Sequence, residues 1–179
     1  MSNDSSAQGR GFAVVTISSS QSSDIEEGGT IARDALVAAG HRLVHQRSVA
    51  DDLSSLRYLF REWVDDPRVQ VIIAIGGSGL DASDNTPEAF SHLISKHMPG
   101  FGEIFRSLAF QQFGITALES RALGAVCHST LVYVLPGTPQ AVALAVNQLI
   151  APQLSASIPS DHLQPRNAPS IRIPVQPPR

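Results

Sequence analysis

The run "VQVIIAI" (Val69–Ile75) limits the fold more than any other stretch, because apart from Gln70 it has no polar residue to show to water. A strand this apolar is buried on both faces, which is the situation of a parallel sheet covered by helices on each side. It stops at "GGSG" (Gly76–Gly79). The aspartates Asp81 and Asp84 follow, and then "TPEA", where Thr86 suits a helix cap and Pro87 the first helical position.

The flanking chain supplies the rest of such a sheet. "FAVVTIS" (Phe12–Ser18) reads as a second buried strand and "SSSQSSDIEEGG" as the loop that leaves it. "TIARDALVAAG" sets Ile31, Ala35, Leu36 and Ala39 on one helical face and ends at Gly40. "HRLVHQRSV", with Leu43, Val44 and Val49, forms another strand. "DDLSSLRYLFREWVDD" spaces Leu53, Leu56, Leu59, Phe60 and Trp63 for a helix that aspartates open and Pro67 stops. Strand, helix, strand, helix, strand implies parallel pairing with right-handed crossovers. Beyond it, a helix is expected over Phe101–Gln112, two strand pieces around a His128–Thr130 turn, and a last helix with Ala141, Val142, Ala145, Val146 and Leu149 as its apolar stripe. One α/β domain over residues 11–154 results. Met1–Arg10 reads as a disordered polar tail, and 155–179 as an extended Pro-rich tail, since six of the twelve prolines lie beyond Ser157.

Composition removes several function classes. A net charge of −3 without a basic stripe argues against nucleic acid as a partner. Cys127 is the only cysteine, so neither a disulfide framework nor a thiolate zinc site is expected, and it reads as a small core residue. The histidines do not cluster at metal-binding spacings. Tyr58 and the helical Phe and Trp residues read as core or interface packing. "MSNDSSAQGRG" has no apolar run, and no stretch of about eighteen apolar residues occurs, so no membrane is expected and a cytoplasmic protein is.

The chemistry concentrates where strands end. Ligands of open parallel sheets sit beyond the carboxyl ends of the strands, where Ser18–Gly29, Ala50–Asp52 and Gly76–Asn85 emerge. A Gly-rich turn before a helix offers N–H groups to phosphate. "GGSG" is neither a P-loop nor a GxGxxG fingerprint, and alone it is a weak signal. The aspartates add to it. A carboxylate about 4 Å from a phosphate is repelled by roughly 4 kcal/mol per unit charge at an effective dielectric near 20. A cation between them removes the conflict, and Mg²⁺ characteristically uses one or two carboxylates plus phosphate oxygens. Asp84 lacks a capping role, because Thr86 takes it. Asp51 or Asp52 offers a second acid, though capping accounts for one of the two. Asp81 reads as solvated.

Together "GGSGLDASDNTPEA", "PGFGEIFR", "ESRALG" and "VLPGTPQAV" resemble the molybdopterin adenylyltransferase family, the MoaB/MogA-like proteins of molybdenum-cofactor biosynthesis, from Phe12 to Leu154. The resemblance implies a three-layer α/β domain with a mostly parallel central sheet, molybdopterin-binding-like, assembled as a homotrimer or homohexamer. It implies transfer of AMP from MgATP to molybdopterin, with Mg²⁺ as cofactor, ATP as co-substrate and pyrophosphate as the second product. Gly76, Gly77, Ser78 and Gly79 match the family's Gly-Gly-Thr-Gly loop, which meets phosphate. Asp84 falls on its essential loop aspartate and Asp51 on the acid that ends the second strand; both are expected as catalytic residues and metal ligands. Ser120 and Arg121 match its Ser-Arg pair, expected to hold the pterin or its phosphate. Pro136, Gly137, Thr138 and Pro139 match its Pro-Gly-x-Pro turn, of which Pro136 to Thr138 are expected to shape the pocket wall. Two positions depart from the pattern: Ser19 replaces an acid and Gln140 a frequent lysine. They favour an alternative, a non-catalytic molybdopterin-binding or carrier protein of the same pathway.

Overall fold

The computed structural model describes residues 9–18 and 23–156. Both expected tails lie almost wholly outside the described residues. Arg10, however, is part of the folded domain: its amide donates to His41 Nδ1 at 3.1 Å, and its carbonyl accepts from the Arg42 amide at 2.9 Å.

Six strands make one sheet in the order β2-β1-β3-β6-β5-β4. β1 (Gly11–Ile17), β2 (Arg42–Val49), β3 (Val71–Ile75) and β6 (Thr130–Leu135) run parallel. β5 (Leu123–Cys127) is antiparallel to β6, and β4 (Ile94–Met98) is antiparallel to β5. As the apolar run requires, β3 is fully buried and sits between β1 and β6. The period of two sends Val71, Ile73 and Ile75 to one face, and Ile72 and Ala74 to the other. Each face has its own core.

The first core gathers Phe12, Val14, Ile73 and Tyr133 beneath α1 (Ser23–Ala38), α4 (Pro99–Phe113) and α5 (Pro139–Ala145), which continues through a wide turn at Val146–Ile150 into α6 (Ala151–Ser155). The second gathers Ala13, Val15, Ile72 and Val134 beneath α2 (Leu53–Asp65) and the short α3 (Thr86–Phe90). Phe60 of α2 stacks on Phe90 of α3 with ring centroids 3.6 Å apart, joining the two helices. Helices therefore cover both faces, and the architecture is the expected three-layer α/β sandwich with a mostly parallel sheet.

Three local expectations need correction. α1 starts at Ser23, so Gly28 and Gly29 are buried helical residues and not loop. Gly29 packs where its missing Cβ would meet Thr16 Cγ2 at 2.6 Å, so the close approach of helix and strand accounts for a glycine there. β4 has no counterpart in the expected elements: only its end residues Ile94 and Met98 are half-buried, too little for an apolar pattern. Tyr58 points outward from α2 and is largely exposed, which removes the core half of its core-or-interface reading. Cys127 is buried as expected, and burial raises its thiol pKa to about 11.

Candidate functional site

β1 pairs on one side with β2 and on the other with β3, so the chain reverses its direction of travel across the sheet at this point, and a crevice opens at the carboxyl ends. The loop after β3 begins there. Gly76 has φ 100° and Gly77 φ 62°, values open to glycine. A side chain on Gly76 would collide with the Ile17 carbonyl, and one on Gly77 with the Asp51 carboxylate and the Thr86 hydroxyl. The Gly76 amide donates to Leu135 O at 2.9 Å, extending the β3–β6 ladder, so it is not available to a phosphate as expected. The amides of Gly77, Ser78 and Gly79 have no partner among the described residues, and they remain the donors the loop can offer.

Thr86 does not cap α3. It is the first helical residue, and its buried hydroxyl donates to Gly76 O at 2.8 Å, closing the loop on itself together with the Thr86 amide, which donates to Gly77 O. Asp84 accepts from the Asp81 amide through Oδ2 at 3.0 Å, which turns the loop and orients its carboxylate. Asp81 is exposed, as expected.

The two aspartates after β2 take different roles. Asp52 caps α2, accepting from the Ser55 amide at 2.8 Å, and that bond holds its pKa low. Asp51 turns under the Gly77 loop and accepts from the Asn85 amide at 3.3 Å and 3.5 Å. Burial raises the Asp51 pKa, the hydrogen bonds from Asn85 pull it partly back, and the carboxylates of Asp84 and Glu88 raise it further.

A pocket of about 720 Å³ opens over the loop. Gly76, Gly77, Ser78, Gly79, Asp84, Ser120, Pro136, Gly137 and Thr138 all line it, so nine residues from three separated motifs face one cavity. Asp51 and Arg121 are not among its lining; Asp51 lies beneath the loop and Arg121 beside it. The Ser120 hydroxyl accepts from the Ala122 amide at 3.3 Å, which leaves its hydrogen for a ligand. The opposite wall was not legible as site: Ile25 of α1, Phe105, Ala109 and Phe113 of α4, and Ala141 are apolar residues that any core helix could carry. Gly137 lets that wall close, since a Cβ there would stand 2.9 Å from Ile25 Cγ1.

The charge of the pocket is lopsided. Asp84 and Glu119 line it, Gln140 contributes a neutral amide, and no lysine or arginine is among the described lining residues. Among the described residues no three His, Cys, Asp or Glu side chains are arranged to hold a metal alone. The donor set nevertheless fits Mg²⁺, which binds through few carboxylates and completes its shell with phosphate and water. Burial and the neighbouring carboxylates of Asp84 and Glu88 both disfavour the charged form of Asp51, and a cation placed between these groups would offset that.

Comparison with known proteins bears on this geometry. Residues 13–156 match the family model described as "Probable molybdopterin binding domain". The chain is 35% identical over 145 residues to Molybdenum cofactor biosynthesis protein B of Escherichia coli K12, covering 81% of this chain and 85% of that one. It is 36% identical over 146 residues to the protein of the same name from Staphylococcus carnosus, covering 80% and 85%. A solved crystal structure of a Molybdenum cofactor biosynthesis protein B superposes with a TM-score of 0.75 at 33% identity, covering 82% of this chain and 91% of that one. No helix among the described residues is long and apolar enough to cross a membrane.

Proposed function

Since the chain belongs to the molybdopterin-binding domain family of molybdenum-cofactor biosynthesis proteins, we propose that it transfers AMP from MgATP to molybdopterin, releasing pyrophosphate. One observation carries this reading: the phosphate-type loop, Asp84, Ser120 and the Pro136–Thr138 turn face a single pocket large enough for a small-molecule ligand. In the reaction, the terminal phosphate oxygen of molybdopterin attacks the α-phosphorus of ATP. A new P–O bond forms, and the bond to the bridging oxygen breaks, its electron pair leaving with pyrophosphate. No protein nucleophile is required.

The chain's own residues hold two anions together and meet the charge that develops on them. The free amides of Gly77, Ser78 and Gly79 donate to phosphate oxygens, and Ser120 donates its hydroxyl hydrogen to the pterin or its phosphate. The apolar wall of Ile25, Phe105 and Phe113 takes a flat ring and keeps water from the reacting phosphates. Asp84 and Asp51 would hold Mg²⁺ directly or through its waters. When bound, that ion supplies neutralisation of polyphosphate charge that the pocket's own side chains lack. The proposal extends to work in the cytoplasm and to assembly as a homotrimer or homohexamer.

The test is to mix the purified protein with molybdopterin and MgATP and to assay adenylylated pterin and pyrophosphate. Both products should form in equal amounts and disappear with EDTA. Asp84→Asn should abolish AMP transfer yet leave molybdopterin binding intact or tighter, because one anion leaves the pocket. Unchanged turnover would remove Asp84 from the mechanism. The lack of a cationic lining residue among the described residues, with Gln140 in the pocket, favours a second reading, a carrier that binds the pterin without catalysis. Titration calorimetry separates them: a carrier binds pterin but shows no Mg²⁺-dependent affinity for ATP.

A further inference from the structure

We propose that Arg121 is a positioning residue that latches the Ser78–Asn85 loop and thereby sets where Asp84 stands, instead of gripping a substrate phosphate. It holds the loop at three points and the helix that follows it at a fourth. Its amide donates to Ser78 O at 3.0 Å, its Nε to Gly79 O at 2.7 Å and its Nη2 to Asp84 O at 2.8 Å, while its Nη1 pairs with Glu88 of α3. The side-chain contacts join segments 33 to 42 residues apart, so the fork bridges the segment before β5 to both ends of the loop. A planar guanidinium can satisfy several carbonyls at once; an ammonium is a single point donor.

The latch determines Asp84 by a short chain of bonds. With Gly79 O and Asp84 O fixed by one side chain, the Asp81–Ser83 turn between them closes, and the Asp81 amide meets Asp84 Oδ2. Gly79 packs so tightly there that a Cβ would lie 2.6 Å from that oxygen. Asp51 restrains the far side through the Asn85 amide. Arg121 is absent from the pocket lining, and Glu88 neutralises it, so it presents little positive field to an anion in the cavity. Its consequence for catalysis rests on the adenylyl-transfer reading; the latch itself does not.

Amide hydrogen exchange on the full-length, ligand-free protein tests the latch, with Arg121→Gln and Arg121→Lys compared. In Arg121→Gln the amides of Asp81, Asp84, Asn85 and Thr86 should exchange about tenfold faster or more, those of β3 should not change, and Arg121→Lys should restore part of the protection. Steady-state kinetics on the same variants should show kcat for AMP transfer falling about tenfold or more, with KM for ATP and molybdopterin moving by about twofold or less. Unchanged loop exchange overturns the proposal, and so does a KM rising about tenfold at unchanged kcat, the mark of a direct phosphate ligand. If Arg121→Gln does not fold, Arg121→Lys carries both comparisons. Absence of AMP transfer in the unsubstituted protein would remove the activity reading and leave the exchange result standing.

Discussion

Two single residues show how the loop's geometry is enforced. Gly77 combines φ 62° with an Asp51 carboxylate and a Thr86 hydroxyl in the space a side chain would need. Gly77→Ala should therefore cost about 1–3 kcal/mol of stability, read by urea denaturation, and weaken Mg²⁺-dependent nucleotide binding with it. A stability loss within error would mean the loop relaxes freely. Asp51 ionises less readily in the folded chain than in the unfolded one, because burial outweighs its bonds from Asn85. Its contribution to stability therefore falls as pH rises from the ordinary carboxylate pKa through the raised folded value. Asp51→Asn keeps an oxygen for the Asn85 amide and drops the charge. Without divalent cation, the variant should match the parent at low pH and gain on it as pH rises through that window, by thermal melts. An advantage that instead grew toward low pH would contradict this. Residue pattern alone located both aspartates without dividing them, since capping and loop support ask for the same side chain within one residue; the family resemblance singled out Asp51. Thr86 was misread for a related reason: its hydroxyl serves a carbonyl ten residues back, a long-range bond that local preference does not encode.

At the scale of elements, sequence spoke where burial was complete and failed where it was partial. α2 shows Leu56, Leu59, Phe60, Trp63 and Val64 at helical spacing because one face is wholly covered, and its bounds lie within a residue or two of expectation. β4 is exposed along its middle, so nothing marks it but its pairing with β5. The start of α1 was hidden by Ser and Gly, residues that mean loop unless a strand packs too closely for a Cβ. The stacking of Phe60 on Phe90 carries a consequence for the site, because α3 is only five residues long and supports the loop through Thr86 and Glu88. Phe60→Ala leaves a cavity under it and should cost about 3–5 kcal/mol by denaturant titration. Loop amides from Asp84 to Thr86 should lose exchange protection in the same variant. If the stability falls and those amides stay protected, α3 is held by the loop and not the reverse.

For the molecule as a whole, the exposed apolar surface is unevenly distributed. Of the eight large apolar side chains exposed among the described residues, five (Ile104, Phe110, Phe113, Ile115 and Leu118) lie on α4 and the turn of 3₁₀ helix that follows it. The helical Phe residues, read from sequence as core or interface packing, divide between core and exposed surface here. The core takes Phe101, Phe105 and Ala109, Leu108 packs against it partly buried, and Ile104, Phe110 and Phe113 are exposed. Phe113 belongs to both surfaces, lining the pocket while partly exposed, and Thr116, Ala117 and Glu119 follow it along the pocket rim. A second copy seated on this segment would thus stand at the pocket's edge, and assembly and ligand binding would share residues. A stable contact buries about 800 Å² per partner with apolar anchors at its centre. Charging two anchors away from the pocket, as in Phe110→Asp with Leu118→Glu, should convert the proposed trimer or hexamer to monomer in sedimentation velocity at micromolar concentration. Neither residue lines the pocket, so a fall in molybdopterin affinity on dissociation would come from the lost neighbour. An unsubstituted chain that sediments as a monomer ends the assembly proposal, and unchanged affinity in a dissociated variant shows that each pocket is complete within one chain.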